Sequence, residues 1–246
     1  MTYCAAIRLK EGMIFASDTR TNAGVDHIST FRKLYQYGVE GERFMILQTA
    51  GSLATSQAVF NKLQSDINSR AEGSLNTVPS LFDGAQMVGE CMRNVMANAQ
   101  RVANDNNSRT FTSSFLLGGQ IKGQPPELYM IYPEGNCIRA TRDTPFFQLG
   151  ESKYGKPILD RSVRYDTNVN HAAQALMLSF DSTLHSNLSV GMPIDFVIYE
   201  NDSLMLPKGR RIEEDDEYFK TISRQWSAAL RNTLIELPEC PNDYWG

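Results

Sequence analysis

The spacing of apolar residues changes period several times along this chain. Tyr3–Leu9 alternates loosely, Lys10-Glu-Gly12 supplies a turn, and Met13–Ser17 resumes as a second run, which predicts a hairpin. Asp18-Thr-Arg20 closes that strand, and Thr21–Gly24 reads as a polar loop. A second strand pair, over 33–39 and 44–49, folds about Gly38–Gly41. After Ala50-Gly51-Ser52 the period lengthens. Ala54, Val59, Leu63 and Ile67 then share one face of a helix from about Ser52 to Arg70. A second helix starts near Ser80. Its residues Leu81, Ala85, Val88, Met92, Val95, Ala99 and Val102 form a narrow stripe that predicts packing against the first helix.

Strands return over 113–118, 127–132, 137–141 and 146–149, and helices resume after Ser152. Val169, Ala172, Ala173, Leu176, Phe180 and Leu184 give a clear helical stripe. Ile194–Tyr199 reads as a strand that continues over Ser203–Leu206, beyond the Asn201-Asp202 turn. Glu213–Asp216 opens a last helix, where carboxylates suit the positive end of the dipole. Tyr218, Ile222, Trp226, Leu230 and Leu234 would be its inner face, and Pro238–Gly246 a tail. Strands come in hairpin blocks and helices in pairs, without strand–helix–strand alternation. That order predicts an α+β fold of antiparallel sheets with helices segregated to outer layers. With no linker, low-complexity run or repeat, residues 1–246 read as a single domain, its C-terminal helix and tail beginning near 213.

Composition narrows the function. The net charge is −4 and no basic stripe occurs, so nucleic acid is not the expected partner. No apolar run approaches the ~18 residues of a membrane span, and no basic start leads into an apolar block as in a signal peptide. A cytoplasmic protein is expected. Cys4, Cys91, Cys137 and Cys240 are scattered without CxxC spacing and read as reduced thiols. His27, His171 and His185 form no ligand pattern, so neither a metal site nor a cofactor is predicted.

The candidate chemistry lies at the start. Initiator Met is usually removed before a small residue, and its removal would leave Thr2 with a hydroxyl and a free α-amine. The amine's unperturbed pKa, about 7.7–8, leaves part of it neutral near pH 7, able to take the hydroxyl's proton. Taken alone, Met1-Thr2 is also how many inert termini begin.

Four stretches extend the signal: Thr2 with Ser17-Asp18-Thr19-Arg20; Phe31-Arg32-Lys33-Leu34; Thr49-Ala50-Gly51 before a helix; and Ser114–Gly119 with Leu128–Gly135. In this order they resemble the proteasome-type β subunits, a family of N-terminal-nucleophile hydrolases, over nearly all residues to about 235. The opening Met1-Thr-Tyr-Cys4, Ser17–Gly24 and Ile28–Lys33 are similar to the bacterial ancestral-β-subunit branch of that family. As in the bacterial HslV peptidase, no propeptide beyond Met1 is expected, nor the N-terminal helical extension of proteasome α-type subunits.

The resemblance implies a four-layer αββα sandwich and a threonine peptidase. Thr2 would be the nucleophile and its amine the base. Lys33 would hold a positive charge beside the amine, disfavouring its protonation, and Asp18 would fix Lys33; by residue type alone these two are also an ordinary ion pair. Gly51 would donate its N–H to the oxyanion. Arg20 would steady the turn. Ser152 and Ser189 match family serines near the amine. The chain departs from the pattern at Ser186, where the family has Asp, and at Val190, where it has Gly. Asp181 lies too far upstream to fill that place without a different loop. Thr49 falls where the family lines its first specificity pocket and sets no charge preference. The implied partners are a peptide or unfolded protein substrate, further copies of the chain in a ring or open spiral, and an ATP-dependent unfoldase. Two other readings stand beside this one: a silent scaffold subunit, and a small-amide hydrolase of the same fold.

Overall fold

A computed structural model describes residues 2–22, 28–71, 73–103 and 111–245. They form two compact units, Met1–Glu214 and Asp215–Gly246. In the first unit, β1 (Tyr3–Arg8) and β2 (Gly12–Asp18) make the predicted hairpin, with Cys4 opposite Ser17. They sit in a five-stranded antiparallel sheet with β10 (Phe146–Gly150), β11 (Ile194–Glu200) and β12 (Arg210–Ile212), in the order β10-β1-β2-β11-β12. The second sheet runs β5-β6-β7-β8-β9: Leu34–Val39, Arg43–Gly51, Ser113–Ile121, Glu127–Ile131 and Cys137–Arg139. β3 (Arg20–Asn22) and β4 (Ile28–Thr30) pair separately. Part of the expected Thr21–Gly24 loop is thus strand, and its remainder falls outside the described residues.

The two sheets face each other across one core. Met13 and Phe15 of β2 meet Phe44 and Ile46 of β6 and Leu116 of β7 there. Phe44 stacks on Tyr199 with ring centroids 4.2 Å apart. The Gly118-Gly119 pair in β7 has a steric cause. A Cβ on Gly118 would come within 2.6 Å of the Phe15 ring, and one on Gly119 within 2.1 Å of the Phe44 carbonyl oxygen.

Helices cover both outer faces. On the second sheet, α1 (Leu53–Asn68) and α2 (Leu81–Ala103) bury Val59, Leu63, Val88 and Met92 against Met45, Leu47 and Leu117. Ser80 caps α2 by accepting from Asp83 N and donating to the Asp83 carboxylate. On the first sheet lie α3 (Ser152–Ser162) and α4 (Val169–Ser186), where the Phe180 ring sits 4.5 Å from that of Tyr3. The layers are therefore α, β, β, α, the expected sandwich.

Two expectations fail. Ser203–Leu206 is not a strand, because the backbone turns through positive φ at Asp202 (64°) and Leu204 (48°), and β12 forms further on. In the second unit, α5 (Glu217–Glu236) is capped by Asp216, whose carboxylate accepts from Phe219 N at 2.9 Å. Its expected inner face is only partly covered: Ile222 and Trp226 are half-buried, but Tyr218, Leu230 and Leu234 are 50%, 47% and 69% exposed. Helical period reports that one face is apolar, not that something covers it.

Candidate active site

Thr2 lies where β1 begins, and its neighbours are set by strand register. β1 pairs with β10 so that Tyr3 faces Gly150. The Thr2 carbonyl accepts from Glu151 N at 2.8 Å. Gly150 has φ +78°, and a Cβ there would fall 1.8 Å from the Thr2 carbonyl oxygen, so only glycine lets the two segments close.

Asp18 ends β2, level with the start of β1. Its Oδ1 accepts from Tyr3 N at 3.0 Å and from Lys33 Nζ at 2.7 Å. Gly191 N reaches Oδ2 at 3.5 Å, the limit of a hydrogen bond. Lys33, the residue before β5, also donates to the Arg20 carbonyl. The Asp18 side chain is fully buried and that of Lys33 only 5% exposed. Burial raises the Asp18 carboxyl above its ordinary value, and the Lys33 charge pulls it back down. A buried pair of this kind holds its geometry because neither partner can be moved without stranding the other.

A cleft of about 550 Å³ opens beside this pair. Its walls include Thr2, Lys33, Gly51, Thr21, Thr49 and Leu53, with Ser56, Gly150 and Glu151. Gly51 ends β6 at φ +123°, and a Cβ there would sit 2.4 Å from the Thr112 carbonyl oxygen. The next residue, Ser52, caps α1 by accepting from Thr55 N at 3.4 Å. The floor is a set of hydroxyls. Thr49 Oγ1 and Ser56 Oγ are 2.8 Å apart, and Ser56 Oγ donates to the Ser52 carbonyl at 2.9 Å. Ser113 Oγ donates to the same carbonyl at 3.1 Å. No charged side chain takes part in that floor.

The structure brings Thr2, Lys33 and Gly51 to one cleft, with Asp18 directly behind Lys33. Ser152 and Ser189 do not line it. Ser152 opens α3 and lines a separate cavity of about 350 Å³ with Phe147, Gln148 and Lys156. Ser189 stands in the turn after α4, where its N–H is held by Asn187 Oδ1 at 2.9 Å. That turn is tied back by Arg20, which donates to the Leu188 carbonyl at 3.0 Å. A Cβ on Gly191 would meet the Arg20 guanidinium at 2.0 Å. Asp181 is buried in α4, beside His185 at 3.5 Å.

Two cleft residues were not legible in the sequence. Glu151 is the one beside Ser152 that points its surface to the cleft, and its only ionic neighbour among the described residues is Lys153 at 3.9 Å. Thr21 carries a buried hydroxyl without a hydrogen-bond partner among the described residues. The signal for Glu151 was its place directly after the glycine that closes on Thr2. Thr21 gave none, since its position depends on the β3–β4 pair.

Comparison with known proteins gives one picture. The family model described as "Proteasome subunit" matches residues 2–198. No curated protein sequence matches the chain. Among solved structures, the Anbu complex from Pseudomonas aeruginosa, described as a helical assembly, is 55% identical with a TM-score of 0.93, covering 98% of this chain and 99% of that one. Anbu (ancestral β-subunit) from Yersinia bercovieri is 47% identical with a TM-score of 0.92, over 97% and 99% of the two chains. An Anbu (Gly-1) mutant from Hyphomicrobium sp. strain MC1 is 47% identical with a TM-score of 0.90, over 98% and 100%. Matched over most of its length by the family model, and nearly end to end by these structures, the chain belongs to the proteasome-subunit family and, within it, to the Anbu group.

Proposed function

We propose that this chain is a threonine peptidase subunit that hydrolyses peptide bonds with Thr2 once Met1 is removed. The observation that carries the reading is the shared cleft: Thr2, Lys33 and Gly51 line one cavity, and buried Asp18 clamps Lys33 at 2.7 Å. The freed α-amine takes the proton of the Thr2 hydroxyl as Oγ attacks the substrate carbonyl carbon. The tetrahedral oxyanion falls to the Gly51 N–H, at the strand end before a helix N-terminus. Collapse expels the amine half of the peptide, which leaves with the proton held by the α-amine. Water, deprotonated by the same amine, then hydrolyses the Thr2 ester and restores the hydroxyl. Lys33 keeps the amine basic, because its positive charge opposes a second one nearby. The Thr21 hydroxyl, buried and unpartnered, is available to the substrate backbone. Ser152 directly follows cleft-lining Glu151, and Ser189 stands in the turn that Arg20 ties back, so we give both a supporting role beside the site. No metal or cofactor is required by these steps.

The chain acts within a homo-oligomer in the cytoplasm, on peptides or unfolded protein, with an ATP-dependent unfoldase as the natural supplier of larger substrates. No described helix is long and apolar enough to cross a membrane. The deciding experiment combines intact mass with hydrolysis of short fluorogenic peptides. The mass lacks Met1, the protein cleaves peptides, and Thr2→Ala abolishes cleavage. Full activity in Thr2→Ala would end the proposal. Retention of Met1 together with inactivity would favour a silent scaffold subunit.

A further inference from the structure

We propose that a basic pocket at the end of β1 remote from Thr2 binds a compact phosphate-bearing anion. The pocket, about 690 Å³, is lined by Lys10, Arg142, Arg164, Tyr165 and Asp166. Three separate segments meet here: the turn after β1, the loop before β10, and the connection between α3 and α4. The Lys10 N–H holds the Tyr165 carbonyl at 2.8 Å. The Arg8 and Arg142 guanidiniums lie 5.1 and 5.3 Å from the centre of the Tyr165 ring.

Arg8 Nε donates to the Pro126 carbonyl at 2.8 Å. Arg164 Nη1 donates to the carbonyls of Asp160 at 2.8 Å and Val163 at 3.0 Å. Among the described residues, none of Arg8, Lys10, Arg142 and Arg164 forms an ion pair with a carboxylate. Asp166 is the single carboxylate on the wall. Three cations, Lys10, Arg142 and Arg164, thus line one concavity, with Arg8 over the same Tyr165 ring and Arg8 and Arg164 held by backbone carbonyls, in a chain whose net charge is −4. Like charges gathered in excess of the one carboxylate beside them repel, and a multivalent anion relieves that repulsion. Guanidiniums held in a fixed orientation suit the oxygens of phosphate, to which they donate in pairs. The six residues of β1, at about 3.3 Å each, separate the pocket from Thr2 by roughly 20 Å, so the site does not depend on the peptidase reading.

The test is calorimetric titration of the native, assembled protein with inorganic tripolyphosphate. Binding is expected to be saturable, at one site per chain, and to weaken as salt rises. The double variant Arg142→Ala/Arg164→Ala, at two exposed positions, binds at least tenfold more weakly with its circular dichroism unchanged, while Lys122→Ala binds as the wild type. Citrate, whose charge sits on carboxylates, binds at least tenfold more weakly than tripolyphosphate. ATP binding as tightly as tripolyphosphate assigns recognition to the phosphate chain in either molecule. Absence of saturable binding, binding untouched in the double variant, or citrate binding equally well would each overturn the proposal.

Discussion

Lys33 carries the one cationic group among the cleft-lining residues, and Asp18 holds it there from a fully buried position. Removing the charge therefore acts on two groups. Under the proposed mechanism, the freed Thr2 amine loses the neighbour that opposes its protonation, so its pKa rises; a rise of about one unit leaves tenfold less neutral amine below that pKa. The Asp18 carboxyl, already raised by burial, loses the charge that pulls it down and rises further. We expect Lys33→Ala to lose at least tenfold in peptide cleavage at pH 7, with part of the loss recovered as pH increases. The acid limb of its kcat/KM profile moves to higher pH, whereas a purely structural defect would lower the rate at every pH alike. At this scale the sequence was legible wherever a residue's place follows from its own strand. Thr2, Asp18, Lys33 and Gly51 stand at strand ends that register brings together. The serines were not legible in this way. Whether Glu151 or Ser152 faces the cleft depends on how the chain turns between Gly150 and α3, and residue type does not report that turn.

Elements follow from period where both faces have a partner. β2 is buried at every position because one face meets the second sheet and the other meets α4. The helix pairs were legible from spacing for the same reason. Period fails where the backbone itself decides, as at Asp202 and Leu204, or where an apolar stripe stays partly exposed, as on α5. The Gly-Gly pair of β7 shows the reverse case, a sequence feature whose cause only the packing reveals. A Cβ on Gly119 would meet backbone, the Phe44 carbonyl oxygen and the Met45 Cα, neither of which can swing aside. A Cβ on Gly118 would meet the Phe15 ring edge and the Met13 terminal methyl, which can yield. Overpacking of this kind costs about 1–3 kcal/mol, and more when backbone must move. Gly119→Ala should therefore destabilise the protein more than Gly118→Ala, by about 1 kcal/mol or more in denaturant unfolding. Equal losses would mean that β6 and β7 separate as easily as side chains repack.

At the scale of the whole molecule, the proposed homo-oligomer can join its copies in two ways. A contact that uses two different patches, head to tail, closes into a ring only if its rotation divides the circle; otherwise it propagates as a helix. The two cases separate in solution. A closed ring reaches a fixed mass and stays there as concentration rises, while an open assembly keeps adding subunits. The Pseudomonas aeruginosa relative, 55% identical over nearly its whole length, is described as a helical assembly. Small changes at a contact alter a rotation by degrees, enough to change closure, but 55% identity preserves the fold on which the patches lie. We therefore expect an open assembly here: light scattering after size-exclusion chromatography should give a mean mass that climbs with loading concentration and shows no plateau. Thr2→Ala should follow the same curve, because Thr2 lies in the cleft beside Lys33 and Gly51, where the proposed reading gives its hydroxyl a part in chemistry and none in assembly. A constant mass over a tenfold range of concentration would mean a closed ring. A wild-type curve that Thr2→Ala fails to reproduce would mean that the cleft and the subunit contact share residues, and the active site would then be completed only by a neighbouring copy.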